Sequence, residues 1–206
     1  MKKLMIIGAG GHGKVVADIA KHHDYENISF LDDNSTIKMC GKYPVIGNSS
    51  NIFDYKNDDF FIAIGNNEIR ERIFELLQKE NINIVTLVHP SAVIADDVTI
   101  GKGTVIMANV VVNPDAKIGK GVIVNTASSI DHECKIDNFT HVSVGAHIAG
   151  AVHVGANTFV GAGSTIINNM KIVDHCTIGA GAVVVSDLEQ KGTYIGVPAK
   201  LYKEGE

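Results

Sequence analysis

From Ile94 to Val184 every sixth residue is Ile or Val, sixteen positions in unbroken register. Four residues after each comes a small or apolar residue, among them Val98, Val122, Cys134, Ala146, Val152 and Ala182. A period of six cannot keep one face of a 3.6-residue helix, so this stretch is not α-helical. It is the period of a parallel β-helix, in which each hexad makes one short strand and one corner, and three hexads close a triangular coil. Residues eighteen apart then stack. Ile94, Val112, Ile130, Ile148 and Ile166 form one interior ladder, and Ile100, Ile118, Ile136, Val154 and Ile172 form the next. No coil buries its apolar positions alone, so the solenoid is stable only as an array. Glycines directly after the aliphatic residue, such as Gly101, Gly119 and Gly161, are expected to permit sharp corners. The pattern itself leaves the hand of the coil open.

The residues before the repeat follow another rule. An apolar run ending at Ile7 enters Gly8-Ala-Gly-Gly-His-Gly13, and an amphipathic segment runs from Lys14 to about His22. This predicts strand, Gly-rich turn and helix. Further strands are expected at Ile28–Leu31, Phe60–Ile64 and Ile82–Leu87, and a helix at Glu68–Glu80 with Ile69, Ile73, Leu76 and Leu77 on its apolar face. Alternating strands and helices imply a small parallel α/β domain, Rossmann-like, over residues 1–88, with the β-helix domain over 89–206. The tail 192–206, containing Gly196-Val-Pro198, is expected to pack back on the solenoid end as a cap.

Composition narrows the function. A net charge of -5 without a basic run argues against nucleic acid. No apolar stretch approaches bilayer-spanning length, and the opening apolar run is too short for a signal peptide. Three irregularly spaced cysteines fit a reducing, cytoplasmic setting. Cys134 and Cys176 fall at inward positions and read as buried small hydrophobes, while Cys40, in a polar loop, receives no role.

Two regions carry chemistry. Gly8-x-Gly10-x-x-Gly13, with Asp32 about twenty residues on, matches a dinucleotide fingerprint. Glycine lets backbone approach a phosphate, and the helix start offers N–H groups. The domain has no second half for a second nucleotide, and His12 stands inside the turn. A nucleoside diphosphate sugar therefore fits better than NAD; a Gly-rich turn with no ligand is the plainer alternative. In the solenoid, Asn125, Asp131-His132-Glu133 and His141 stand out at corners and outer faces. His132 and Glu133 take the third and fourth places of one hexad and His141 the last place of the next, so they face different sides of one copy. A pocket shared by them would form most easily across a subunit boundary. A carboxylate beside a histidine orients the imidazole and raises its basicity, as a general base needs; a solvated surface histidine is the competing reading. His141, His147 and His153 recur six apart, which puts them on three faces and argues against a metal site.

The chain also resembles the bacterial sugar-nucleotide acetyltransferases of the left-handed β-helix class, including bacillosamine-pathway N-acetyltransferases and sialic acid O-acetyltransferases. The resemblance rests on Gly8–Gly13, Phe30-Leu-Asp-Asp33, Phe60–Arg70, Asn125–Cys134, His141–Ala146 and Gly196–Lys200. It implies a left-handed coil, acetyl-CoA as co-substrate without a metal, and a homotrimer with sites between protomers. By the same resemblance His132 is the general base and Glu133 its partner, and His141, Gly150, Ala162 and Ala180 line the coenzyme path. Gly10, Gly11, His12, Asp32, Asp33 and Gly65 would hold a UDP-amino sugar, with Asn125 near the sugar. The implied reaction is acetylation of the sugar's 4-amino group; O-acetylation of a sialic acid, or a non-catalytic nucleotide-sugar sensor, are the alternatives.

Overall fold

A computed structural model describes residues 2–202, and the chain divides into two compact units, one ending at Val88 and the other starting at His89. In the first, β1 (Lys2–Ile7), β2 (Tyr25–Leu31), β3 (Met39–Cys40), β4 (Tyr43–Gly47) and β5 (Asp59–Ile62) form one sheet in the order β3-β4-β2-β1-β5. All pairings are parallel except β3 with β4. Helix α1 (Gly11–Ala20) crosses from β1 to β2, and α2 (Asn67–Lys79) follows β5. The chain places β2 on one side of β1 and β5 on the other. The β1 and β5 C-terminal ends are therefore the switch point where open α/β sheets hold ligands.

Three local readings change. The expected strand Ile82–Leu87 is reduced to one parallel bridge, Phe60 to Ile84, at the sheet edge, and a two-residue strand, Leu87–Val88. The stretch around Cys40 is a hairpin rather than a loop, and Cys40 is buried, its thiol 3.9 Å from the Gly10 carbonyl. In α2 the core face is Arg70, Phe74 and Leu77, whereas Ile69 and Leu76 remain 38% and 39% exposed. The two stripes are neighbours on the helix surface, and an apolar pattern alone does not say which one faces the sheet.

The second unit is a triangular parallel β-helix of two-residue strands. One face stacks Val93–Ile94, Val111–Val112, Ser129–Ile130, His147–Ile148, Thr165–Ile166 and Val183–Val184. The next stacks Thr99–Ile100, Lys117–Ile118, Lys135–Ile136, His153–Val154 and Lys171–Ile172. The third carries Val105–Ile106, Ile123–Val124, His141–Val142, Phe159–Val160 and Thr177–Ile178, then Thr193–Ile195. Both expected ladders are in register, and from the second coil onward their aliphatic side chains are buried. Hydroxyls that fall inside are satisfied by backbone carbonyls: Thr104 by Gly119, Thr140 by Gly155, Ser164 by Gly161. Thr193–Ile195 extends the third face, and Lys200–Leu201 folds back antiparallel on it; the last residues of the tail lie outside the described ones.

Corner geometry differs from expectation. The left-handed residue is the fourth of each hexad, from Gly103 and Asn109 through Glu133 and Ala151 to Gly181. Glycines after the aliphatic residue have no positive φ. They are required because the next coil lies on them: a β-carbon at Gly161 would stand 2.4 Å from the Ile178 carbonyl oxygen, and one at Gly119 2.8 Å from the Asn138 nitrogen.

Candidate active site

In the first unit the Gly-rich turn splits into two kinds of glycine. Gly8 has φ +104°, and a β-carbon on Gly13 would stand 2.2 Å from the Gly8 carbonyl oxygen, so both serve the fold. Gly10 and Gly11 are exposed and would meet nothing within 4 Å. Gly10 caps α1 without a side chain, leaving the backbone of the helix start uncovered, as close approach of a phosphate requires. Gly65 is equally open.

His12 follows in the first turn of α1, and its Nε2 is buried without a protein partner. Burial, and then the Arg70 charge, push its pKa down to about 4, so the ring is neutral at physiological pH. The Arg70 guanidinium donates to the carbonyls of Ile64 (2.9 Å) and Gly65 (3.2 Å) and to Asn67 Oδ1 (2.9 Å). A buried cation thus holds the loop that presents Gly65. The two acidic residues also shape loops. Asp32 accepts the Ala9 N–H at 2.7 Å and the Asn34 N–H at 2.8 Å, while Asp33 accepts the Ser49 N–H at 2.8 Å. That last bond holds Asp33 below the usual carboxylate range.

A cleft of about 660 Å³ opens at the switch point. Asp32, Asp33 and Ser49 line it opposite an apolar wall of Ile64, Ile69, Ile73 and Leu76, with Arg72 beside them. The sequence does not single out this wall or Arg72, because an apolar helix stripe reads equally as a face packed on the sheet. Gly10, Gly11, His12 and Gly65 do not line this cleft.

In the second unit His132 and Glu133 are the two turn residues of the corner between the first and second faces. His132 Nδ1 lies 3.1 Å from Glu133 Oε2, and both side chains are exposed, 56% and 64%. With Nδ1 donating to the carboxylate, Nε2 keeps its lone pair for a proton. That nitrogen lies over Gly150, one coil on.

His141 stands on the third face, beside Asn125, whose Nδ2 is 3.2 Å from His141 Nε2. Phe159 meets the same ring edge-on at 5.1 Å. Ala162 and Ala180 are exposed at the edge between the third and first faces, one above the other, linked by the Gly181 N–H to the Ala162 carbonyl at 2.9 Å. Within one chain the structure therefore joins Asn125 to His141 and Gly150 to His132. The first face separates Gly150 from Ala162 and Ala180. His141, His147 and His153 lie on three different faces. Among the described residues no group of three His, Cys, Asp or Glu side chains is arranged to hold a metal. Cys134 and Cys176 are inside the coil, and burial pushes both thiols up, away from the reactive thiolate.

Comparison with known proteins follows the same division. Residues 3–77 match the PglD N-terminal domain, and residues 97–132 match the bacterial transferase hexapeptide (six repeats). The chain is 36% identical over 113 residues to UDP-N-acetylbacillosamine N-acetyltransferase of Bacillus subtilis, covering 52% of each. It spans about half the length of that relative and of GDP-perosamine N-acetyltransferase of Escherichia coli O157:H7. Among solved structures it resembles the acetyltransferase domain of PglB from Neisseria gonorrhoeae FA1090 in complex with acetyl coenzyme A. There the TM-score is 0.94 at 39% identity, covering 98% of this chain and 99% of that one. It also resembles PerB from Caulobacter crescentus in complex with CoA and GDP-perosamine, with TM-score 0.94, 32% identity and 98% of each chain covered. The coil is thus the left-handed β-helix that the resemblance implied.

Proposed function

Because the chain belongs to the family of hexapeptide-repeat sugar acetyltransferases with a PglD N-terminal domain, we propose that it moves the acetyl group of acetyl-CoA to the 4-amino group of a UDP-linked amino-deoxy sugar. The observation that carries the reading is the His132–Glu133 corner, in a fold whose solved relatives are described with acetyl-CoA or CoA. The first unit holds the nucleotide sugar. Its bare turn at Gly10 and Gly11, the buried Nε2 of His12, the open Gly65 backbone and the cleft at Asp32 and Asp33 support this. The β-helix holds acetyl-CoA along His141, Gly150, Ala162 and Ala180, and Asn125 supports His141.

The chemistry is direct transfer. The amine nitrogen attacks the thioester carbonyl, and its proton passes to His132 Nε2 as the C–N bond forms. Glu133 holds the imidazole through Nδ1 and stabilises the imidazolium. When the tetrahedral intermediate collapses, the C–S bond breaks and the proton returns to the CoA sulfur. No acetyl-enzyme is needed.

The assembly is a homotrimer with sites between protomers. The outward column of the first face supports it: Val93, Val111, Ser129, His147, Thr165 and Val183 include no Lys, Arg, Asp or Glu, and Val93 is 65% exposed. Depletion of charge is the mark of an interface core. The adjacent face instead carries Lys117, Lys135, His153 and Lys171. The site of action is the cytoplasm, in keeping with three unpaired cysteines.

The deciding experiment measures CoA release across UDP-4-amino, GDP-4-amino and dTDP-4-amino sugars and sialic acids. Fastest turnover is expected with a UDP-4-amino sugar. Preference for a GDP-sugar would move the substrate toward that of the perosamine enzymes, and turnover of sialic acid alone would replace N- by O-acetylation. No thiol release with any acceptor would leave a sensor.

A further inference from the structure

We infer that the coils on either side aim His132: the Asn113–Asp131 pair fixes its backbone from one side, and Gly150 leaves the space its imidazole fills on the other. The inference rests on the reading of His132 as the base, and makes Asn113, Asp131 and Gly150 positioning residues.

Asn113 Nδ2 donates to Asp131 Oδ1 at 2.7 Å, and the same oxygen accepts the backbone N–H of His132 at 2.8 Å. The Asn113 bond first, and the His132 N–H second, hold Asp131 below the usual carboxylate range, so it stays an acceptor at working pH. The corner is also tied along its backbone. Glu133 N–H donates to the Pro114 carbonyl one coil back at 3.0 Å, and the His132 carbonyl accepts the Ala151 N–H one coil on at 2.8 Å. With the backbone held in both directions, the remaining freedom is rotation of the imidazole.

Gly150 leaves room for the rotamer that the ring adopts. A β-carbon there would stand 2.5 Å from His132 Nε2 and 2.6 Å from Cε1, far inside contact distance. Gly150 is not among the positive-φ glycines, so its backbone accepts an L side chain. The requirement for glycine comes from the imidazole it faces. Equivalent third places one coil away in either direction carry side chains, His132 itself and Asn168. A methyl group at 150 would turn the ring, break the Nδ1–Glu133 bond and move Nε2 off the attacking amine. Displacement of about 1 Å at a reacting group costs about 10²-fold in rate.

The test compares Gly150→Ala, Asn113→Ala and His132→Ala, by steady-state kinetics with both substrates and by the ring resonances of histidine-labelled protein. Gly150→Ala is expected to lower kcat by about 10²-fold and shift the His132 ring signals. Asn113→Ala is expected to act in the same direction but less strongly. Neither should lower the residual activity of His132→Ala further, since residues acting as a unit are not additive. A raised KM for acetyl-CoA with unchanged kcat would assign Gly150 to the coenzyme path alone and overturn the inference. So would wild-type kcat and unmoved ring signals in both variants while His132→Ala is inactive. If His132→Ala keeps full turnover, the base assignment fails, and the ring signals alone decide whether these residues position it. Should Gly150→Ala not fold, unmoved His132 signals in Asn113→Ala would overturn the inference by themselves.

Discussion

Asn125 donates its side-chain amide to His141 Nε2 at 3.2 Å, while its own Oδ1 accepts the N–H of Thr126 at 2.8 Å. The second bond fixes which end of the amide faces the histidine. His141 therefore accepts at Nε2 and carries its proton at Nδ1. The pairing also couples a residue assigned to the sugar with one assigned to the coenzyme. If His141 meets the thioester end of acetyl-CoA, Asn125→Ala loses one orienting hydrogen bond, worth about 0.5–1.5 kcal/mol. The expected result is a KM for acetyl-CoA raised about two- to twelvefold by that energy, with a smaller change in kcat. A fall in kcat alone would remove His141 from coenzyme binding.

His132→Ala is expected to lower turnover by about 10²–10⁴-fold, with the affinities of both substrates within a few-fold. A general base acts in the transition state, so its loss belongs in kcat. Glu133→Gln should act the same way but more weakly, because the amide still orients Nδ1 and no longer stabilises the imidazolium. Near-normal turnover in His132→Ala would transfer the role to another residue, with His141 the next to test.

The two kinds of corner glycine make a paired stability test. Gly163 has φ +64° and open space, at a place where Ala127 and Ala151 already adopt the same conformation. Gly163→Ala should cost about 1–2 kcal/mol. Gly161→Ala would push a methyl against the Ile178 carbonyl and the Ala180 nitrogen, and overpacking against immovable backbone should cost more, about 3 kcal/mol or above. Urea unfolding of both variants checks the order, and equal midpoints would refute the close-stacking account.

Protonation of His12 gives a pH signature. Its folded pKa, about 4, lies below the ordinary value of 6.5, so the neutral ring contributes stability that is complete above about pH 6.5. That contribution is lost as pH falls from 6.5 toward 4, because the unfolded chain takes up the proton first. Unfolding midpoints of wild type and His12→Asn, measured between pH 7.5 and 4.5, should converge as pH falls. Parallel curves would mean that His12 titrates normally in the folded protein.

The proposed homotrimer predicts that light scattering at micromolar concentration gives three chain masses. Introducing charge on the outward column of the first face, as in Thr165→Glu, should shift the mass toward one chain. A wild-type protein of single-chain mass would remove the intersubunit site.

The hexad repeat alone determined most of the second unit. A strict period leaves one way to bury an aliphatic every six residues, so the ladders through Ile130 and Ile136 are legible in the sequence. The sequence also located the His132–Glu133 corner, since place within the hexad is place in space. It could not say why the corner glycines are there. Gly161 and Gly163 look alike in sequence, yet one is required by backbone a coil away and the other occupies a left-handed turn. Nor could it choose between the Ile69–Ile73–Leu76 and Arg70–Phe74–Leu77 stripes of α2, because both lie on adjacent sides of one helix and only docking selects which is buried. The contacts of Asn113 with Asp131 and of Gly150 with His132 join residues eighteen apart. The repeat brings such pairs onto adjacent coils; the rotamers, which depend on what each side chain meets there, were decided only by the tertiary structure.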